Sequence, residues 1–247
     1  MSVSVCIATY NGEKFIYEQL DSIIKQLTSK DEIIIVDDCS TDNTINIIEG
    51  FNYSNIITYQ NEINRGVNYS FGQAISKATK DIIFLSDQDD IWTTGRVKKM
   101  LERINESGCA VISSNFHSID NKGLDIEFPV DGVHPSNSKK HLKNIIDIFI
   151  GKKNYYGCAM AFKKEIVPLI CPIPSYVESH DLWIALVGNL IKSNLHIDNI
   201  SLLKRLHNSN ATETNRTLSK KLWSRVIFLI SIIEIIFRKK IKKGLSS

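Results

Sequence analysis

Short runs of Val and Ile recur along this chain, each ending in polar turn residues and each followed by a longer stretch whose apolar side chains have helical spacing. This alternation restricts the fold more than any other feature, because a strand buried on both faces reads as a continuous apolar run and needs helices to cover it. The pattern implies an α/β fold with a largely parallel sheet flanked by helices. Strands are expected at residues 3–8, 32–37, 56–59, 81–86 and 110–114. Phe15, Leu20, Ile23, Ile24 and Leu27 mark a first helix; Thr44, Ile47 and Ile48 mark a second, with Asp42 as its candidate N-cap. The second half is less regular. It holds a polar insert near 120–138, a helix near 141–150, a strand near 157–163, and a helix running from about His180 to Ile191.

At 247 residues and 43% hydrophobic, the chain can bury one large core or two small ones. Its five cysteines are odd in number and form no Cys-x-x-Cys pair, which argues against a disulfide framework or structural zinc. Met1 leads straight into a strand without a basic or long apolar leader, so a cytoplasmic protein is expected. The net charge of +3 conceals an asymmetry: residues 216–247 carry nine Lys or Arg and one acid, whereas residues 1–215 carry 21 bases and 26 acids. The body is therefore acidic and the tail strongly basic.

Four places concentrate groups that can do chemistry. Ser86-Asp87-Gln88-Asp89-Asp90-Ile91-Trp92 puts three carboxylates directly after an apolar strand, where ligands bind in open α/β sheets. Clustered acids repel unless a cation neutralises them, and Asp87-x-Asp89 suits a hard divalent ion, Mg²⁺ or Mn²⁺, that clamps a diphosphate. Read alone, the same triplet is a solvated acidic turn. Ala8-Thr9-Tyr10-Asn11-Gly12-Glu13 and Asp37-Asp38-Cys39-Ser40-Thr41-Asp42 end two adjacent strands and frame a shallow cleft, with Tyr10 to stack on a base and Asp38 to accept its ring NH. Glu178-Ser179-His180-Asp181-Leu182-Trp183 sets an acid at a helix start, where it can act as a general base or merely cap the helix. Arg205 and His207, two apart on a strand expected at 202–207, share one side and suit a leaving diphosphate or a metal shell.

In this order, across residues 2–210, the motifs resemble those of inverting nucleotide-sugar glycosyltransferases with the GT-A fold, of the rhamnosyltransferase-like type. That resemblance implies a mostly parallel, Rossmann-like sheet and a dTDP- or UDP-sugar donor, with a lean to rhamnose. It implies transfer to a glycan or lipid-linked acceptor in bacterial surface polysaccharide synthesis, with no nucleic-acid partner. By the same resemblance Ala8, Thr9, Tyr10, Glu13, Asp38, Arg65, Asp87 and Gln88 serve the nucleotide, and Asp89, Asp87 and His207 the metal. Arg205 serves the diphosphate, Asp181 is the catalytic base, and Gly157, Cys158 and Trp183 line the acceptor side. Asn64-Arg65-Gly66 resembles the family's turn before the helix that feeds the metal strand. The chain departs from the usual Glu-Asp before the catalytic helix, having His180-Asp181, which keeps Glu178 as a second candidate base.

Residues 1–215 are read as the transferase domain and 216–247 as a basic amphipathic helix. The twelve residues 226–237 are too few to span a bilayer, which takes about 20. They suit a helix lying on the inner face of the membrane, held by anionic lipid, or a core or homodimer contact. Two other functional classes compete. A nucleotidyltransferase would open on a Gly-rich phosphate loop, and the first turn here has only Gly12. A non-catalytic, membrane-tethered sugar-nucleotide-binding module would not need both the acid cluster and Asp181.

Overall fold

The computed structural model describes residues 1–127, 131–207 and 217–244. Arg216 and residues 245–247 of the expected tail lie outside the described residues. Four parallel strands, β1 (Val3–Thr9), β2 (Glu32–Asp37), β3 (Ile56–Gln60) and β4 (Ile82–Ser86), are joined by helices α1 (Ile16–Ile24), α2 (Thr44–Glu49) and α3 (Val67–Lys77). There follow β5 (Ile91–Trp92), α4 (Arg96–Ser107), β6 (Val111–Ile119), α5 (His141–Phe149), β7 (Met160–Lys163), α6 (Val167–Ile170), α7 (His180–Leu190), β8 (Asn194–Arg205) and α8 (Leu218–Gly244). All eight strands form one sheet in the order β3-β2-β1-β4-β7-β6-β8-β5.

The sheet separates two cores by the period-two alternation of its strands. Cys6, Ile34, Val36, Ile83 and Leu85 point to one face, where α3, α7 and α8 cover them. Val5, Ile7, Ile33, Ile35 and Phe84 point to the other, under α1 and α4. Every residue of β2 is buried, including Glu32, whose carboxylate accepts from the Ser4 hydroxyl and the Thr79 amide. Burying an acid this way is tolerable because its charge is hydrogen-bonded.

Past β4 the sheet becomes mixed: β7 runs antiparallel to both β4 and β6, while β6 and β8 are parallel. Two strands are much longer than expected there. β6 continues to Ile119 and β8 begins at Asn194, and their pairing shifts register between Ser113 and Phe116. At that bulge Ser114 Oγ bonds Ser201 Oγ across the sheet. Asp42 stands one residue before the helix cap, which is Asn43, and bonds the Thr44 amide two residues on.

Helix α8 lies against the body. Ile227, Ser231 and Ile235 are buried, and Ile235 belongs to the core shared with α7. Burying each such isoleucine is worth roughly 1.5–3 kcal/mol. No described helix is long and apolar enough to cross a membrane.

Candidate active site

The C-terminal ends of β1 and β2 lie side by side, with Thr9 in register with Asp37. Asp37 accepts from Thr9 Oγ1 (2.8 Å) and from the Ser40 amide (2.9 Å), so the Thr9 hydroxyl is spent inside the turn. Asp38 accepts from Asn61 Nδ2 (2.7 Å) and the Arg65 amide (2.8 Å) on Oδ1, and from the Gly66 amide (2.7 Å) on Oδ2. A carboxylate offers about four lone-pair positions, so one on Oδ2 remains for a ring NH. Gly66 adopts φ +87° to present that amide, a conformation costly for any side chain. Tyr10 is 46% exposed beside the partly buried Ala8, while the Arg65 guanidinium lies 4.1 Å above the Tyr69 ring. Glu13 accepts from the Asn43 amide. Gln88 ties this turn to the acid cluster, accepting from the Tyr10 amide (2.8 Å) and donating to its carbonyl (3.1 Å).

The acid cluster after β4 meets the end of β8 almost residue for residue. Asp87 Oδ2 accepts from Lys204 Nζ (3.0 Å), Asp89 Oδ2 lies 2.8 Å from His207 Nε2, and Asp90 Oδ1 accepts from the Arg205 amide (3.0 Å). The Arg205 side chain bonds the Asp89 carbonyl and Glu18 (2.6 Å) and stacks over Phe15, which also stacks on His207. Arg205 and His207 therefore share a side, as the strand spacing implies. Burial, reinforced by Asp87, pushes Asp89 up to about 6. Burial also pushes Asp90 up to about 7; Lys204 opposes it, while Asp87 and Asp89 add to it.

Asp90 Oδ2 is buried with no hydrogen-bond partner, and donor atoms of Asp87, Asp90 and Cys158 lie within 4.8 Å of one another. Two carboxylate oxygens with one orphaned suit a hard divalent cation such as Mg²⁺ or Mn²⁺. Burial raises the Cys158 thiol well above its ordinary value, which keeps it protonated and makes it a poor ligand. Asp89, expected as the chief ligand, is instead paired with His207 and stands outside this closest donor set.

Helix α7 is capped by Ser179, whose hydroxyl accepts from the Leu182 amide. Asp181 is thereby released from that role. Its Oδ1 lies 2.7 Å from His180 Nε2, and a Cβ at Gly157 would come within 2.5 Å of the same oxygen, so only glycine fits. His180 stacks on Phe71 at 4.2 Å and sits 3.1 Å by Nδ1 from Asn68 Oδ1. With Nδ1 beside that acceptor and Nε2 beside Asp181, the ring forms an ion pair with Asp181 when it is protonated. Burial lowers the His180 pKa, but the Asp181 charge outweighs it and the net shift is upward. Burial raises Asp181, yet His180, the Gly157 amide and Lys204 outweigh it and hold the carboxyl below its usual range. Glu178 is directed elsewhere, accepting from Ser224 Oγ of α8 at 2.7 Å.

A run of contacts joins the two acidic sites: Asp87 to Lys204, Lys204 Nζ to Cys158 Sγ (3.6 Å), and Cys158 through its neighbour Gly157 to Asp181. Asp87 and Asp181 are thus linked through Lys204, Cys158 and Gly157, with Asp90 beside Asp87 and Cys158. Trp183 stands apart: it is buried in the core, its indole NH bonds the Ile170 carbonyl, and Arg238 of α8 lies over its ring. That corrects the acceptor-side expectation for Trp183. Lys204, His180, Asn68 and Glu18 escaped the sequence reading; Lys204 and His180 adjoin predicted residues, whereas Asn68 and Glu18 carry no motif.

Carboxylates at the C-terminal ends of the parallel strands β2 and β4, linked by contacts to an acid at a helix start, stand where open α/β sheets bind their ligands. Residues 4–168 match the family described as Glycosyl transferase family 2, and the chain belongs to that family. A dTDP-rhamnosyl transferase, RfbG, from Shigella flexneri is 40% identical over 116 residues, 44% of this chain and 40% of that protein. The poly(ribitol-phosphate) β-N-acetylglucosaminyltransferase TarS of Staphylococcus aureus is 33% identical over 128 residues, 50% of this chain and 22% of its own. The matched part thus spans well under two thirds of these relatives. The crystal structure of TarS 1-349 in complex with UDP-GlcNAc superposes with a TM-score of 0.67 over 96% of this chain and 72% of that one, at 19% identity. The fold is GT-A, with the C-terminal helix added.

Proposed function

We propose that this chain is an inverting, divalent-metal-dependent glycosyltransferase that uses a pyrimidine nucleotide sugar, with a lean to dTDP-rhamnose, in bacterial surface polysaccharide synthesis. The observation that supports it most is the run of contacts from Asp87 through Lys204, Cys158 and Gly157 to Asp181. The likeness to a dTDP-rhamnosyl transferase supports the donor. Similarity to a glucosyltransferase from Escherichia coli, WfaP, whose name specifies a diphosphoundecaprenol acceptor, supports a lipid-linked acceptor.

In this reading Tyr10 stacks on the base and the free position on Asp38 accepts its ring NH. Arg65 stands at the rim of the same cleft. Asp87 and Asp90 would hold the cation, with Asp89 beside them adding negative charge, and the cation would supply charge neutralisation of the departing diphosphate, an effect worth about 3–4 kcal/mol per interaction. Arg205 and His207 hold the acid turn in place for that task. Asp181, its charge kept by His180, takes the proton of the acceptor hydroxyl as that oxygen attacks from the face opposite the diphosphate, which inverts the anomeric centre. Incubation with dTDP-rhamnose and UDP-sugars, with Mn²⁺ and then with EDTA, tests the reading. Metal-dependent release of nucleoside diphosphate is expected; no release from any donor favours the non-catalytic binding module.

The tail is proposed to dock the enzyme on an anionic membrane surface. The side of α8 opposite its buried residues exposes Leu222, Val226, Leu229, Ile233, Phe237 and Ile241, the first by 69%. Lys221, Arg225, Lys239 and Lys240 flank that stripe, and the helix's one acid, Glu234, is paired with Arg238. An apolar stripe edged by bases complements anionic headgroups. The protein should co-sediment with phosphatidylglycerol vesicles, not with neutral phosphatidylcholine, and Phe237→Glu should release it. A dimer in solution that Phe237→Glu dissociates would replace the lipid with a second copy.

A further inference from the structure

The acid cluster already contains a cation. Lys204 is nearly enclosed, its side chain 12% exposed, with the ammonium 3.0 Å from Asp87 Oδ2 and 3.6 Å from Cys158 Sγ. A buried ammonium is stable only when paired, and three carboxylates in four residues are stable only when neutralised. Each therefore answers the other's cost. Arg205 is committed elsewhere, to Glu18 and to the carbonyls of Asp89 and Asp120. The ammonium shares Asp87 with the cluster of donor atoms whose spacing suits a divalent ion. Two positive charges cannot both lie against that carboxylate without repelling each other.

We infer that Lys204 is a resident counter-ion that competes with the divalent cation for Asp87, yields that carboxylate when the metal arrives, and turns its ammonium to the diphosphate that accompanies it. The four-carbon stem permits such a swing, and a lysine ammonium binds phosphate as a point charge. The site is thus held closed by its own cation until metal and donor come together. This rests on the metal-binding reading above and goes beyond it, since it assigns a role to a residue outside the motifs.

Mn²⁺ binding, measured by calorimetry on the full chain with and without dTDP, separates the two. Lys204→Met should bind Mn²⁺ alone at least about tenfold more tightly than wild type, because the competitor is gone. It should also melt earlier in EDTA and regain its stability with Mn²⁺, while dTDP binding in saturating Mn²⁺ weakens about tenfold. Lys204→Arg should stay near wild type in metal affinity. Should Lys204→Met not fold, Lys204→Gln carries the same expectations. In an Asp87→Asn background, removing Lys204 should no longer change Mn²⁺ affinity. Unchanged or weaker Mn²⁺ binding by the neutral variants, while wild type binds, overturns the inference alone. Absence of Mn²⁺ binding by every protein overturns the metal reading with it.

Discussion

Two groups of acids end strands β2 and β4, which flank β1 in this sheet, and the chain treats them in opposite ways. At the end of β2, Asp37, Asp38 and Asp42 accept hydrogen bonds from neutral amides, hydroxyls and a carboxamide of the surrounding turns. At the end of β4, Asp87, Asp89 and Asp90 depend on Lys204, Arg205 and His207, and one buried oxygen of Asp90 has no partner. Lys204 comes from 117 residues further along the chain. The first group is satisfied by local structure and shapes the cleft. The second holds charge that local structure does not satisfy, the usual mark of a site built for a ligand rather than for stability. Asp181 belongs with the second group, since its Oδ1 lies against the ring of His180, whose pKa its charge raises.

The largest effect expected from this division is at Asp181. Asp181→Asn cannot accept a proton and should lower turnover by about 10²–10⁴. Donor affinity should persist, and stability should change little, because His180 can shed its proton and leave no buried charge. Steady-state kinetics with the preferred donor checks this; turnover near wild type would move Asp181 out of the reacting group. The opposite pattern is expected at Asp37. Asp37→Ala strands the Thr9 hydroxyl and the Ser40 amide and should cost about 2–3 kcal/mol, a Tm loss of roughly 5–10 °C in a chain of this size. A melting curve measures it. A stable Asp37→Ala protein with lost activity would place Asp37 among the acids that meet ligand.

The same division explains what was legible beforehand. Strands β1 to β4 fall within a residue of expectation because Val and Ile announce them: β1, β2 and β4 are buried on both faces and so largely apolar, while β3, the half-exposed edge strand, still opens on Ile56-Ile57. β6 and β8 were underestimated because their extra length is polar and is held by pairing with each other across the sheet, which no local pattern reports. The acid motif, Asp181 and the Arg205–His207 pair were visible as motifs. Trp183 was misplaced because it adjoins Asp181 in sequence, yet two residues on a helix are about 200° apart, which turns the indole into the core. Lys204 was invisible for a related reason: period two puts it on the face of β8 opposite Arg205, and only the turn after β4, which meets both, shows that they serve one cluster.

Acid should separate the two groups without any substitution. Burial, with Asp87 adding to it, carries Asp89 up to about 6, and burial carries Asp90 up to about 7, so both are ionised above that range and become protonated as pH falls through it. Coupled acids of this kind titrate as a pair. Asp181 is held below the ordinary carboxylate range, with burial outweighed by His180, and so cannot produce a loss near neutrality. Asp42 is likewise lowered: burial is outweighed by hydrogen bonds from Thr44 and the Glu13 amide, so the donor turn keeps its charge. Transfer measured as kcat/KM should therefore be flat well above pH 7, begin to fall as pH drops through 7, and fall more steeply than tenfold per unit below about 6, where both acids take up protons. Mn²⁺ affinity should fall alongside it because protons and metal compete for the same oxygens. An acid limb near 4 instead would mean that the acids after β4 are no more perturbed than those after β2, and the contrast between the two strand ends would lose its chemical meaning.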